Sequence, residues 1–97
     1  MNCCSNKTKN RSIEEKKTYT TRINKIIGQL NGIKKMIEED KYCNDILIQL
    51  LATEKAMRSL SNLLLDNHFH TCLVNDIKNG NEEVVDEALD LLRRFQK

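Results

Sequence analysis

The chain has 97 residues with no proline, no tryptophan and only three glycines. Sandwiches, barrels and glycine-rich nucleotide folds build their turns and phosphate loops from proline and glycine, so this composition excludes them and points to an all-helical protein. No apolar run approaches the roughly 20 residues that span a bilayer. The polar N-terminus also lacks the apolar core of a secretory signal, and a cytoplasmic location with no membrane partner is expected. In that compartment the four cysteines are expected to be reduced, which favours metal or redox chemistry over a disulfide framework. The length supplies one core, marginal for a lone monomer, so an oligomer is expected.

Acidic residues are missing from one stretch altogether. Between Lys16 and Ile37 there is no Asp or Glu, while Lys16, Lys17, Arg22, Lys25, Lys34 and Lys35 all fall there. Residues 1–37 carry nine Lys/Arg against two Glu, and residues 38–97 carry seven against twelve acids, so a net charge of +2 hides a basic end and an acidic remainder. Two readings fit the basic stretch: a solvated helix face, or a surface that attracts a polyanion such as nucleic acid. A membrane-surface helix fits less well, because the apolar residues here are mostly Ile rather than the bulky Trp, Phe or Leu of interfacial helices.

Residues 1–12 are polar and aperiodic and read as a disordered tail, leaving 13–97 as the folded domain. Ser12, with Glu15 three residues later, forms a capping box that starts the first helix. Tyr19, Ile23, Ile26, Leu30, Ile33 and Ile37 alternate at spacings of four and three, the seam of a helix packed along others. After a short polar connection near 39–42, no glycine occurs before Gly80, which predicts one continuous helix over about 43–78 with Ile46, Leu50, Met57, Leu60 and Leu64 on its seam. Asn79-Gly80-Asn81 stops it. Glu82 and Glu83 open a third helix with Val84, Val85, Ala88, Leu89, Leu92 and Phe95 on one stripe. The predicted architecture is two long antiparallel helices plus a short C-terminal one, dimerising into a helical bundle.

The second helix carries the candidate chemistry. Its seam runs from Cys43 to His68 and Cys72. His68 and Cys72 are one turn apart, so both side chains can point at one atom, as a two-donor metal half-site requires. A lone cysteine or histidine on an apolar face is ordinarily a core residue, so the weight rests on whether the three converge. Cys43 lies 25 residues from His68, nearly 40 Å along a helix at about 1.5 Å per residue, too far to close the site in one chain. Two such helices packed antiparallel about a twofold near Met57 bring position 43 of one level with position 70 of the other. Two identical sites then form, each with Cys43 from one chain and His68 and Cys72 from its neighbour. Two sulfurs and an imidazole are a soft set suited to Cu(I), whereas structural Zn(II) normally completes four ligands.

The run from Arg22 to Cys43 (RINKIIGQLNGIKKMIEEDKYC), followed by DILIQ at 45–49 and HFHTC at 68–72, resembles the copper-sensitive operon repressors, the CsoR family, over roughly residues 18–97. The resemblance implies an all-helical dimer that pairs into a flat homotetramer and binds operator double-stranded DNA when metal-free. It implies Cu(I) ligation by Cys43, His68 and Cys72, with release of DNA and derepression of copper-efflux genes. Tyr42 matches the family's second-sphere tyrosine, and Glu87 its helix-3 glutamate once one residue is removed near Asn81. Family DNA contacts fall on the basic surface around Arg22 and Lys25, with Arg58 matching a basic position of helix 2 and Lys16 and Lys17 extending the patch. Nickel and cobalt relatives carry His where Cys72 stands and use an N-terminal His absent from this tail, and persulfide sensors lack the histidine. Cys3 and Cys4 lie outside the family pattern.

Other readings stand beside this one. Cys43 and Cys72 facing each other would also serve a persulfide- or redox-sensing repressor. A structural coiled-coil adaptor would use the cysteines only as core filling. An enzyme is not expected, since no acid, base and nucleophile constellation is visible, and neither is a small-molecule substrate. A copper chaperone would present an exposed metal motif rather than one on a buried seam.

Overall fold

A computed structural model of the protein describes residues 11–96, and every regular element among them is helical. In chain order these are α1 (Ile13–Glu38), α2 (Cys43–Asn67), a π-helical segment (His68–Leu73), α3 (Val74–Lys78) and α4 (Glu83–Phe95). None of them is long and apolar enough to cross a membrane. The tail reading for residues 1–12, with Cys3 and Cys4, lies outside the described residues except at Arg11 and Ser12. The Arg11 guanidinium sits over the Tyr19 ring, 5.7 Å from its centroid. Two compact units divide the chain near Leu63.

The first unit is a helical hairpin. Ser12 is extended, and its Oγ accepts a hydrogen bond from the Glu15 amide at 3.1 Å, which satisfies one of the unpaired N–H groups at the start of α1. At the other end Lys41 N–H donates to Met36 O at 2.9 Å and Asp40 N–H to Ile37 O at 3.2 Å. This six-to-one and five-to-two pairing needs a left-handed residue, and Asp40 takes that role at φ 54°. The chain then turns back, and the Tyr42 carbonyl accepts the first helical bond of α2 from Ile46 N–H at 3.2 Å. Arg22 of α1 donates from Nη1 to Ser59 Oγ of α2 at 3.3 Å. These two residues stand at equal separations from the turn, as antiparallel helices require.

Burial splits the predicted seam in two. Ile26 and Ile33 of α1 and Thr53 and Leu60 of α2 are buried, while Ile23, Leu30, Ile37, Leu50 and Met57 are exposed. A helix in a hairpin meets only one neighbour, so one of its two apolar rows is covered and the other is left over. Thr53 is a polar residue in this core, and it is tolerated because its Oγ1 donates to Gln49 O at 2.9 Å within its own helix.

The second unit comprises the π-helical segment, α3 and α4, packed on one another. The predicted uninterrupted helix over 43–78 is corrected here: the backbone widens into a π turn over His68–Leu73. Thr71 supplies a local reason. Its Oγ1 donates to Asn67 O at 2.7 Å, the carbonyl that an α-helix would offer to the Thr71 amide, so the backbone is eased towards the longer i→i+5 pattern. Gly80, at φ 85°, ends α3, with Asn81 N–H donating to Asp76 O at 2.9 Å and Gly80 N–H to Ile77 O at 3.1 Å. In α4 the buried edge runs through Ala88 with Val84, Leu91 and Leu92 half-buried, whereas Val85, Leu89 and Phe95 of the predicted stripe are exposed.

Asp40 holds a conformation that a Cβ disfavours. Asp40→Gly is expected to stabilise the protein by about 0.5–1 kcal/mol and Asp40→Val to destabilise it by about 1 kcal/mol or more. Urea unfolding of the three proteins at one protein concentration checks the order, and a Gly variant no more stable than the Val variant would contradict it.

Candidate metal centre and nucleic-acid interface

The widened turn sets the geometry of the donors. Four residues of α-helix overshoot a full turn by about 40°, so a column of residues spaced by four drifts around the axis. His68 and Cys72 both lie within the widened turn, four residues apart, and Asp76 follows four residues further on, in α3. His68 is half-buried, its ring 5.8 Å from that of Phe69 and tilted by 47°. Cys72 is 1% exposed, and its Sγ lies 3.6 Å from Thr71 Oγ1. His70 points elsewhere, with Nε2 3.2 Å from Asp66 Oδ1 on an exposed face.

His68 also lines a cleft of about 280 Å³ with Glu87, Ala88, Asp90, Leu91 and Arg94 of α4. Glu87, read from the sequence as a companion to the histidine, therefore shares its cleft. Asp90 is paired with Arg94 at 3.2 Å. Tyr42 and Cys43 belong to the hairpin unit, at the start of α2, where Tyr42 is 72% exposed and Cys43 is exposed with a free thiol.

Two findings bear on the donor set. Among the described residues no three His, Cys, Asp or Glu side chains converge on one point. This agrees with the length of α2, whose 25 residues amount to about 37 Å. Cys72 is disulfide-bonded, which departs from the expectation that all four cysteines are reduced. A sulfur in a disulfide carries no thiolate charge and ligates a metal only after reduction.

The basic surface has its own built feature. Arg22, Lys25 and Gln29 lie on one face of α1 and line a cleft of about 330 Å³ with Ile26, Ala56 and Ser59. Ser59 holds the Arg22 guanidinium by the hydrogen bond described above, which fixes one cation at the edge of the groove. Lys16 and Lys17 are exposed in the first turns of the same helix. Arg58 is exposed on α2, 4.0 Å from Glu54. It does not line the groove, so the structure groups Arg22 with Lys25 more closely than with Arg58.

The buried Asp76 and Thr53 were not singled out in the sequence. Asp76 is 2% exposed, and its only sequence signal is its position one turn beyond Cys72 and two beyond His68.

An all-helical chain with a one-turn imidazole–sulfur pair on one helix and an arginine–lysine groove on a hairpin is organised as a ligand-responsive nucleic-acid binder. The family described as metal-sensitive transcriptional repressor matches residues 15–94, and the chain belongs to it. This is a family of repressors and not of enzymes. The copper-sensing transcriptional repressor CsoR of Bacillus subtilis (strain 168) is 42% identical over 88 residues, 90% of this chain and 87% of that protein. The crystal structure of the copper-sensing repressor CsoR with Cu(I) from Geobacillus thermodenitrificans NG80-2 is similar at a TM-score of 0.87 and 35% identity, covering 91% of this chain and 93% of that one. The nickel-responsive transcriptional regulator InrS is also similar, at a TM-score of 0.70 and 30% identity over 88% of this chain and 93% of that one.

The groove predicts how DNA binding responds to salt. Arg22→Ala and Lys25→Ala are each expected to weaken binding to promoter DNA and to lower the salt slope by about one counterion. Anisotropy titrations at several salt concentrations measure this, and slopes equal to wild type would remove the groove from the interface.

Proposed function

We propose that this protein is a copper(I)-responsive repressor. Its metal-free form binds operator double-stranded DNA through the surface that includes Lys16, Lys17, Arg22, Lys25 and Arg58. Cu(I) bound by Cys43 of one protomer with His68 and Cys72 of another lowers that affinity and derepresses copper-efflux genes. The observation that carries this reading is a half-buried His68 one turn before a buried Cys72, in a chain whose remaining described cysteine is a free, exposed thiol at the start of α2.

The donor chemistry fits the metal. Two sulfurs and one imidazole are soft donors, which favour Cu(I) over harder divalent ions. The similarity to both copper- and nickel-responsive regulators means that the fold alone leaves the metal open, so the choice rests on Cys72 standing beside His68. When bound, Cu(I) supplies a soft cation that two thiolates and an imidazole satisfy together.

A second protomer is needed for Cys43 to take part, and the apolar row left exposed on the hairpin supports one. Leu47, Leu50, Leu51 and Met57 are all exposed along α2, on the helix that the proposed twofold crosses. We take the assembly to be a homodimer that pairs into a flat homotetramer in the cytoplasm, with 13–97 as its folded domain. In this reading Glu87, which lines the cleft with His68, would accept the second ring N–H of the imidazole, and Tyr42 would support Cys43. These contacts fix the ring and link the metal site to α4.

One observation favours a second reading. The disulfide at Cys72 makes this sulfur a redox-active position, as a persulfide- or redox-sensing repressor would require. Within this chain Cys43 is not its partner, since Cys43 is free.

The deciding experiment is an anaerobic titration of reduced protein on a labelled promoter fragment, followed by anisotropy. Cu(I) is expected to weaken DNA binding by about 5- to 150-fold, the usual range of allosteric coupling. His68→Ala should bind DNA and ignore Cu(I). Glu87→Ala should bind Cu(I) yet lose most of the coupling, and unchanged release would remove Glu87 from the relay. Release by a persulfide donor and not by Cu(I) would replace the copper reading with the redox one.

A further inference from the structure

The chain has four cysteines, at positions 3, 4, 43 and 72. Cys72 is disulfide-bonded, and Cys43, the other described cysteine, carries a free thiol. A disulfide needs a second cysteine, so within one chain elimination leaves Cys3 or Cys4, which lie outside the described residues. Residues 1–12 also hold Lys7, Lys9 and Arg11 and no acidic residue, and cationic neighbours favour the thiolate that attacks a disulfide. Cys72 itself is 1% exposed. Its sulfur is closed to bulk reagents and reacts best with a thiol that its own chain delivers.

We propose that Cys72 forms a reversible disulfide with Cys3 or Cys4 of its own chain, and that this bond withdraws Cys72 from the copper centre and makes the protein answer to thiol oxidants as well as to Cu(I). A metal takes cysteine as the thiolate, so the bond and the ion compete for one sulfur. Disulfides in a reducing compartment are ordinarily transient and redox-sensing. The oxidant is of the low-molecular-weight disulfide class, RSSR. The N-terminal thiolate attacks one RSSR sulfur, the S–S bond breaks and one RS⁻ leaves. The Cys72 thiolate then attacks the N-terminal sulfur of that mixed disulfide and expels the second RS⁻. The two cysteines give up their protons and the two RS⁻ take them up, so two thiols are oxidised while one RSSR is reduced to two RSH. Excess RSH drives both exchanges backwards. Cys43 takes no part, unlike the persulfide reading, in which Cys43 and Cys72 react together. The bond itself is independent of the copper reading, and only its effect on metal binding rests on that reading.

The experiment exposes reduced, metal-free full-length protein to oxidised glutathione without oxygen, blocks free thiols with iodoacetamide and maps tryptic peptides by mass spectrometry without reduction. Peptide 1–7 is expected to be joined to peptide 59–78, with Cys43 alkylated in peptide 42–55. Oxidised wild type should lose Cu(I) binding, measured by competition with a Cu(I) chelator, and dithiothreitol should restore it. The double variant Cys3→Ser/Cys4→Ser is altered only within residues 1–12 and should bind Cu(I) as reduced wild type does, before and after the oxidant. Cys72 still alkylated in oxidised wild type would overturn the proposal, as would Cys72 joined to Cys43 or a link to peptide 1–7 confined to covalent dimers. A linked chain that binds Cu(I) as tightly as the reduced one would also overturn it. So would equal loss of Cu(I) binding in the oxidised double variant, because Cys3 and Cys4 would then be dispensable. Failure of the copper reading is seen separately, as reduced wild type that binds no Cu(I), or binds it without releasing DNA, while the peptide link stands.

Discussion

A hairpin of two helices can cover only one apolar row on each, and the rest of this molecule depends on that limit. Ile26, Ile33 and Leu60 close the row between α1 and α2, with Thr53 inserted among them and satisfied by its own helix. A second row through Ile23, Leu30 and Ile37 on α1, and through Leu47, Leu50 and Met57 on α2, remains in water. Each such side chain, once covered, contributes about 1.5–3 kcal/mol. Association with further copies would cover that row, and in the proposed metal centre a second copy would also supply Cys43. In the proposed centre stability and ligand sensing would both draw on the same uncovered row.

The second determinant is local. The Thr71 hydroxyl takes a main-chain carbonyl from the helical ladder, and the turn that results carries both His68 and Cys72. π turns are uncommon because they loosen backbone packing, and they are retained mostly where a side chain has to be aimed. Here the turn carries His68 and Cys72, two of the residues that the copper reading uses. The same turn presents His68 to the α4 cleft that Glu87 also lines. In the proposed centre a change at His68 would reach α4 through this cleft, the kind of contiguous element through which coupling between sites passes.

Much of this was legible in residue order. The absence of proline, the scarcity of glycine and the four–three spacing of Ile and Leu define helices and their approximate ends. Ser12 caps α1 with its hydroxyl, and Gly80, which has no side chain, takes the positive φ that ends α3. That His68 and Cys72 stand one turn apart follows from helical periodicity, and the basic stretch follows from composition. Three features escaped. Which of two equivalent apolar rows is buried depends on a neighbour, so the buried Ile26 and the exposed Leu30 look alike in sequence. The π turn depends on one hydroxyl bonding to one carbonyl, a choice that threonine leaves unmade in many helices. Asp76 is a charged residue, and periodicity weighted by hydrophobicity passes over it.

The sequence by itself determined the helical class, the segment boundaries to within a few residues, and the donors that can share one turn, because local sterics and periodicity act within a single helix. Tertiary structure decided the rest: which row is core, where Arg22 is held by Ser59, that Asp76 is sealed from water, and that His68 faces the α4 cleft. These depend on which residues distant in the chain come to lie against each other, and so on burial and partner geometry that no local pattern encodes.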